Sequence, residues 1–219
     1  MSSEEEALYA LQREAMVEEH ILRRGVRHST VLDALQVVRR HRFMLPATRR
    51  FAYEDHAVPI GHDQTISQPY VVAVTLAEAN VQPGSRVLDV GTGSGYQAAL
   101  LAELGAEVHS LERVPTLLRR AEQALEAEGY GQRVTCHLRD GFTGLPEHAP
   151  FDAIVVAAAP PSVPAALLEQ LAPGGRLVIP VGEDRQVLEV WTTTPDGPRR
   201  EALFPVAYVP LLPGVETTE

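Results

Sequence analysis

Val87-Leu88-Asp89-Val90-Gly91-Thr92-Gly93-Ser94-Gly95 is a short apolar strand that runs into a loop with a glycine at every second position. Tyr96-Gln97-Ala98-Ala99-Leu100-Leu101-Ala102 follows at once with a helical pattern. Glycine admits positive φ and lets a ligand approach with no Cβ in the way. A strand, such a loop and a helix N-terminus together make the nucleotide-binding corner of an open α/β sheet.

Working outward, strand and helix alternate from Tyr70 onward. Helices are expected over 71–79, 96–104, 117–128 and 165–171. Strands are expected over 86–90, 107–111 (closed by Glu112), 133–138, 151–156 and 176–180, with 187–192 and 204–209 as an antiparallel finish. The 151–156 run is continuously apolar, as a sheet covered on both faces requires. This alternation predicts an α/β protein with a doubly wound, mostly parallel sheet and ligands over the strands' C-terminal ends. Before it, 4–50 reads as helical. Leu8, Leu11, Ala15, Val17 and Ile21 recur at helical spacing, and Ser29 or Thr30 is placed to cap a second helix facing Val31, Leu35 and Val38. A loop-rich stretch spans 51–69, long enough inside a compact chain to be functional. The expected organisation is one domain over 1–219, with a helical extension over 1–57 and the cofactor-binding core over 70–219.

The glycine spacing by itself does not choose a ligand. Gly93-x-Gly95-x-x-Ala98 fits the dinucleotide fingerprint, and Glu112 lies roughly where its ribose-binding acid belongs, about 20 residues on. A pyrophosphate, however, would meet Asp89 at the strand end. Two unit charges 4 Å apart repel by about 4 kcal/mol at an effective dielectric of 20. A phosphate-free cofactor with a positive charge is favoured instead, and S-adenosylmethionine is such a molecule. As a plain strand-end residue, Asp89 would cap loop amides. Glu112 and Asp140 end the next two strands, where one carboxylate could accept both ribose hydroxyls and the other an adenine amino group.

Composition narrows the classes further. A formal charge of −10 disfavours nucleic acid and anionic lipid as partners. All 19 basic residues are arginine, which removes lysine Schiff-base or nucleophile chemistry. Cys136 is the only cysteine, so no intrachain disulfide forms and a reducing compartment is expected. The start Ser2-Ser3-Glu4-Glu5-Glu6 has no signal-peptide character, and no apolar run reaches the roughly 20 residues that cross a bilayer. The expectation is a soluble cytoplasmic protein, a monomer or small homo-oligomer. The eight histidines lack metal-ligand spacing, and Cys136 and His137 point to opposite faces of a strand, so no metal is expected.

Pro59-Ile60-Gly61-x-x-Gln64-Thr65-Ile66-Ser67-Gln68-Pro69, followed by Asp89-Val90-Gly91-Thr92-Gly93-Ser94-Gly95-Tyr96, resembles the protein-L-isoaspartate O-methyltransferase family. The likeness continues through Phe151-Asp152-Ala153-Ile154, Ala158-Ala159-Pro160, Gly174-Gly175-Arg176-Leu177, Ile179-Pro180-Val181-Gly182 and Tyr208-Val209-Pro210-Leu211. It departs at Val38-Arg39-Arg40-His41, where the family often has proline before Arg-His, and at Leu212. The resemblance implies the Rossmann-like S-adenosylmethionine-dependent methyltransferase fold. It also implies methyl transfer to the α-carboxylate of L-isoaspartyl residues in damaged proteins and peptides, whose ester then closes to a succinimide.

By the same resemblance, Ser67 is the active-site hydroxyl, with Thr65 beside it in the catalytic pair. Thr65 and Ile66 wall substrate from cofactor. Gln64, Ile66, Val209, Pro210 and Leu211 touch the substrate. Asp89, Gly91, Thr92, Gly93 and Gly95 take the methionine end of the cofactor, Glu112 the ribose, and Asp140 with Gly141 the adenine. The chemistry agrees: a carboxylate with a pKa near 4 is ionised at neutral pH and needs no general base, so the task is alignment and desolvation. Three rival readings remain at this point: a methyltransferase of the same fold acting on a small molecule or RNA, a non-catalytic cofactor-binding protein, and a nicotinamide-dependent dehydrogenase.

Overall fold

A computed structural model of the chain describes residues 2–217, so the expected 1–219 domain is covered except for its extreme terminal residues. Helix α1 (Ser3–Ala15) starts on Ser2, whose hydroxyl accepts from Glu5 N while the Glu5 carboxylate accepts from Ser2 N. This reciprocal capping box satisfies two donors that a helix start leaves open. A π-helical turn (Met16–Ile21) and a 3₁₀ turn (Leu22–Arg24) continue it to Gly25, which ends the run in the left-handed region. Helix α2 (Ser29–Val37) follows.

Two expectations for this extension are corrected. Leu8 and Leu11 are 55% and 64% exposed, and α1 buries none of its residues. Its roll is set instead by Tyr9, stacked on the buried His41 ring at 4.2 Å, and by Glu6, which binds Arg42. Neither Ser29 nor Thr30 caps α2: His28 is the N-cap and makes no side-chain capping bond.

The 51–69 stretch is not a plain loop. After a 3₁₀ turn (Arg49–Phe51) it forms a hairpin of β1 (Val58–Gly61) and β2 (Gln64–Ile66). His62 and Asp63 both sit at φ 54°, which gives the positive-φ pair that a two-residue hairpin turn requires. No Asn-Gly or Asp-Gly signal marks it, and only the tolerance of His and Asp for the left-handed region permits it.

The core follows as α3 (Pro69–Ala79), β3 (Arg86–Val90), α4 (Tyr96–Glu103), β4 (Glu107–Glu112), α5 (Pro115–Ala127), β5 (Val134–Leu138), β6 (Phe151–Val156), α6 (Ala165–Glu169), β7 (Leu171–Val181), β8 (Gln186–Thr192) and β9 (Arg199–Val206). The seven-stranded sheet runs β5-β4-β3-β6-β7-β8-β9, parallel through β7 and antiparallel for the last two pairings. Several boundaries differ from expectation. Pro115 begins α5 two residues early, as its fixed φ suits a first helical turn. Residue 171 opens β7 rather than ending a helix, because Leu171 pairs with Phe151 and the glycine pair forms an irregular insertion before Arg176 meets Ala153. The final strand lies at 199–206 instead of 204–209, for Val209 and Leu211 are pulled out of it to the end of β6.

Chain order reverses between β3 and β6: from β3 the chain winds outward to β5, then returns to β3's other edge. A ligand crevice belongs at that reversal, beyond the strand ends. Each face of the sheet has its own apolar core. One gathers Val87, Val108 and Val155 with α3, α4, α5 and the N-terminal helices, so the extension shares its core with the main sheet. The other gathers Leu88, Val90, Leu111 and Ile154 with Leu167 of α6 and Leu211. Asp89 and Ser110 lie on the first face by alternation.

Candidate active site

Beyond β3 the chain turns on Gly91 (φ 97°) and Gly95 (φ 88°), conformations that a side chain would strain. A Cβ on Gly91 would also stand 3.4 Å from that of Ala157, at the end of the neighbouring β6. The α4 helix that starts here is buried from Tyr96 through Ala102, which fixes the loop's distance from the sheet. The β1–β2 hairpin packs down from above. Ile60 is fully buried, and a Cβ on Gly93 would stand 3.4 Å from Ile60 Cδ1.

Three carboxylates end three successive strands, yet they do three different things. Asp89 is fully buried beneath the loop, where its oxygens accept from Gln97 Nε2 at 2.9 Å and from Ser110 Oγ at 2.7 Å. Ser110 gives its single proton to Asp89, so the 2.6 Å contact with Thr92 Oγ1 has Thr92 donating. Asp89 therefore holds the loop through a relay, and it does not line the cavity beyond. Burial raises its pKa to about 6, against the Gln97 and Ser110 hydrogen bonds and with the nearby Glu112 charge adding to the rise.

Glu112 does line the cavity. Its Oε2 accepts from Gly93 N at 2.8 Å, and its Oε1 from Arg113 N and Val114 N at 2.8 and 2.9 Å. A carboxylate has about four acceptor sites, so one remains open, on Oε2. That leaves room for a single hydroxyl where two were anticipated. Asp140 binds backbone with both oxygens. Its Oδ1 accepts from Phe142 N, capping the turn that begins at Gly141, and its Oδ2 accepts from Gly214 N at 2.7 Å. Arg139 and Gly141 on either side of it line the cavity; Asp140 does not.

A C-terminal strap crosses the strand ends. Ala159 N donates to Val209 O at 2.8 Å and Leu211 N to Ala159 O at 2.9 Å, fastening the strap to the end of β6. Further on, Gly214 N reaches Asp140, Glu216 N donates to Arg113 O, and Arg113 Nε donates to Gly214 O. The strap thus ties together the ends of three strands and closes one side of the cavity.

Two hollows meet here. The first is bounded by residues 90–94, Leu111 to Val114, Gly141, the hairpin residues Gln64 and Ile66, and Pro210 to Leu212. The second is a groove between Asp55, His56 and Tyr70 on one side and 204–208 on the other. Thr65, Ser67, Ala157 and Val209 line both. Of the residues expected to touch substrate, only Val209 faces both hollows; Gln64, Ile66, Pro210 and Leu211 line the first alone.

Sequence reasoning passed over the groove itself. Asp55 accepts from Arg24, Gln68 Nε2 and Tyr70 N, and so locks the segment that carries Ser67. Arg24 lies over the Tyr70 ring at 3.4 Å, and that ring packs against Phe204. Tyr208 was also missed. It lines the groove, and burial, only partly offset by the nearby Ser67 and Thr75 hydroxyls, pushes its pKa up to about 12, so it stays neutral. Its only sequence signal was its place just ahead of Val209-Pro210-Leu211.

The first hollow suits a small nucleoside cofactor without phosphate. Its glycine loop carries no basic side chain, its two lining arginines are turned to other partners (Arg113 to Gly214 O, Arg139 to Glu147), Glu112 keeps one open acceptor, and Leu111, Val114, Ile66 and Leu211 supply apolar walls. The sequence matches the profile of the protein-L-isoaspartate(D-aspartate) O-methyltransferase family over residues 11–216. The chain belongs to that family. It is 52% identical over 198 residues to the protein-L-isoaspartate O-methyltransferase of Gloeobacter violaceus, covering 90% of this chain and 96% of the relative. Identity to the protein of the same name from Aeropyrum pernix is 50% over 211 residues, covering 93% and 80%. Among solved structures, a protein-L-isoaspartate O-methyltransferase of Plasmodium falciparum, in complex with S-adenosyl-L-homocysteine, superposes with a TM-score of 0.81. It is 30% identical over 91% of this chain and 98% of its own. This isoaspartyl methyltransferase fold is therefore the Rossmann-like one, S-adenosylmethionine is its cofactor, and the dehydrogenase reading falls away. No helix among the described residues is long and apolar enough to cross a membrane.

Proposed function

We propose that the chain methylates the α-carboxylate of L-isoaspartyl residues in damaged proteins and peptides, with Ser67 as the hydroxyl that aligns the attacking carboxylate. One observation carries the residue assignment: Thr65 and Ser67 line both hollows, so a group held in either comes against the same pair of hydroxyls. When bound, S-adenosylmethionine supplies a methyl group on a cationic sulfur, an electrophile strong enough that the acceptor needs no activation.

The chain's own residues then position and exclude. Ser67 donates one hydrogen bond to the incoming carboxylate, fixing its direction without the charge of an arginine, which would blunt its nucleophilicity. Tyr208 keeps the Ser67 hydroxyl oriented. Ala157 and Val209 close the gap between the hollows and keep water from the line of transfer. Glu112 accepts a ribose hydroxyl on its open lone pair, and Asp140, with a lone pair left on each oxygen, accepts from the adenine amino group beside Gly141. Asp89 contributes from below, through Ser110 and Thr92, by holding the loop around the methionine end. Gln64, Ile66, Pro210 and Leu211 serve the substrate by shaping the cofactor side of the shared wall.

The working compartment is the cytoplasm. A reducing environment suits a chain whose one cysteine, Cys136, is buried enough to push its thiol up to about 12 and leave it unreactive. The net charge of −10 fits protein and peptide partners rather than nucleic acid or membrane. The deciding experiment follows methyl label from S-adenosylmethionine into an isoaspartyl peptide and its ordinary aspartyl counterpart. Labelling of the first alone supports the reading. Equal labelling of both, or transfer to an RNA or small molecule with neither peptide labelled, overturns it.

A further inference from the structure

Away from the active site, three histidines that are far apart in sequence meet at one edge of the sheet. His109 is buried in β4, His137 is half-buried in β5, and His148 ends an exposed 3₁₀ turn (Pro146–His148) just ahead of β6. The parallel register pairs Leu111 with His137, which puts His109 and His137 on the same face one step apart. The turn before β6 then lowers His148 onto them, with ring centroids 4.2 Å from His109 and 5.6 Å from His137. One ring nitrogen from each of the three lies within 4.8 Å of the others. Spacing along the chain hid this cluster, because each ligand comes from a different element.

We propose that His109, His137 and His148 form a binding site for a divalent first-row transition ion, zinc above all, with water completing the fourth position. The ion sits between His109 Nδ1 and His137 Nε2, which are 3.1 Å apart, and takes the place of the proton that their hydrogen bond shares. Ligands 2.0–2.1 Å from zinc at tetrahedral angles stand about 3.3 Å apart, so this edge already has the right length. His148 completes the site by a rotation of an exposed side chain. Three imidazoles with no carboxylate in the inner shell select zinc, copper or nickel over magnesium or calcium.

A second feature points the same way. The other nitrogen of His109, Nε2, is buried without a hydrogen-bond partner and faces Glu107 Oε1 at 3.6 Å. Metal-bound histidines commonly offer their second N–H to a carboxylate, which fixes the tautomer and strengthens the ligand. Glu107 stands where that outer partner belongs. Two cations stand nearby: Arg86 donates to His148 O at 3.5 Å and lies 3.9 Å from Glu107, and Arg139 pairs with Glu147.

The test uses the full chain without an affinity tag, stripped with chelator and titrated with zinc by calorimetry. One ion per chain with a micromolar dissociation constant is expected, together with a rise in the melting temperature. His148→Gln leaves a surface position folded and should weaken binding at least tenfold. His137→Gln should do the same, while His20→Gln on the N-terminal turn should change nothing. Cobalt in place of zinc should give the intense visible bands of a tetrahedral nitrogen site in the parent and lose them in His148→Gln. Absence of stoichiometric binding below about 100 µM, or binding that His148→Gln leaves intact, overturns the proposal. Methyl transfer is not read at any stage, so the outcome is independent of the catalytic assignment.

Discussion

Ser110 on β4 sits directly opposite Asp89 on β3 and donates its hydroxyl proton to Asp89 Oδ2 at 2.7 Å. The pair is sealed inside the first core, so ionising Asp89 costs desolvation that Ser110 and Gln97 only partly offset. The folded-state pKa of about 6 lies above the unfolded value near 3.9. Folding therefore takes up a proton between these limits. The stability due to this group is full below about pH 4, declines as pH rises through about 6, and is flat thereafter. Asp89→Asn removes that dependence. Relative to the parent, the variant should gain on the order of 2 kcal/mol between pH 4 and pH 7. Urea melts at several pH values check this, and parallel curves for the two proteins would refute it.

Ser67 and Tyr208 both line the groove, with the Ser67 hydroxyl near the phenol. Ser67→Ala should lower kcat more than tenfold while leaving cofactor affinity nearly unchanged, because Ser67 acts on the carboxylate. Tyr208→Phe removes only the partner of that hydroxyl. The loss of one neutral hydrogen bond, about 1 kcal/mol, should reduce kcat by about fivefold. Single-turnover methylation of an isoaspartyl peptide, with calorimetry for the cofactor, separates the two effects.

Glu112 both organises the loop and faces the cofactor. Glu112→Gln substitutes an amide for one acceptor, so either Gly93 N or the Arg113 and Val114 amides lose their partner. Hydrogen bonds to a charged group contribute about 1.5–3 kcal/mol. The dissociation constant for S-adenosylmethionine should rise at least tenfold, and the melting temperature should fall even without cofactor. Equal affinity by calorimetry would remove Glu112 from the ribose.

Much of this architecture could be read from residues 86–209, because the apolar strands and punctuating glycines carry their own period. Every parallel strand was placed within a residue or two except β7, whose start is hidden by the Gly174-Gly175 insertion. The β1–β2 hairpin escaped because its turn is built from His62 and Asp63 in conformations that glycine usually supplies. The roll of α1 escaped for another reason. Leu8 and Leu11 make an apolar stripe, but stacking of Tyr9 on His41 decides which side faces in. In the site, residue types were legible and their division of labour was not. Asp89, Glu112 and Asp140 look alike as strand-end acids, and only burial and hydrogen-bond partners separate the strut, the cavity wall and the cap. The histidine cluster depends on register across two strands and a turn, which no local spacing encodes.

Gly141 is a glycine for want of space. Its φ is not in the left-handed region, yet a Cβ there would lie 2.6 Å from Val90 Cγ1 and 3.2 Å from Leu211 Cδ1. Val90 is buried at the end of β3 and cannot retreat, so an added methyl must push the Gly141 turn and the strap that carries Leu211 outward. Overpacking of this kind costs about 1–3 kcal/mol. Gly141→Ala should therefore lower stability by that amount and weaken S-adenosylmethionine binding, since Arg139, Gly141 and Leu211 bound the same hollow. Val90→Ala alone should also destabilise, by leaving a void in the second core. Combined, the two changes should cost at least 0.5 kcal/mol less than their sum, because the smaller side chain makes room for the new methyl. Denaturant melts of the four proteins complete the cycle, and strict additivity would show that Val90 is not what excludes a side chain at position 141.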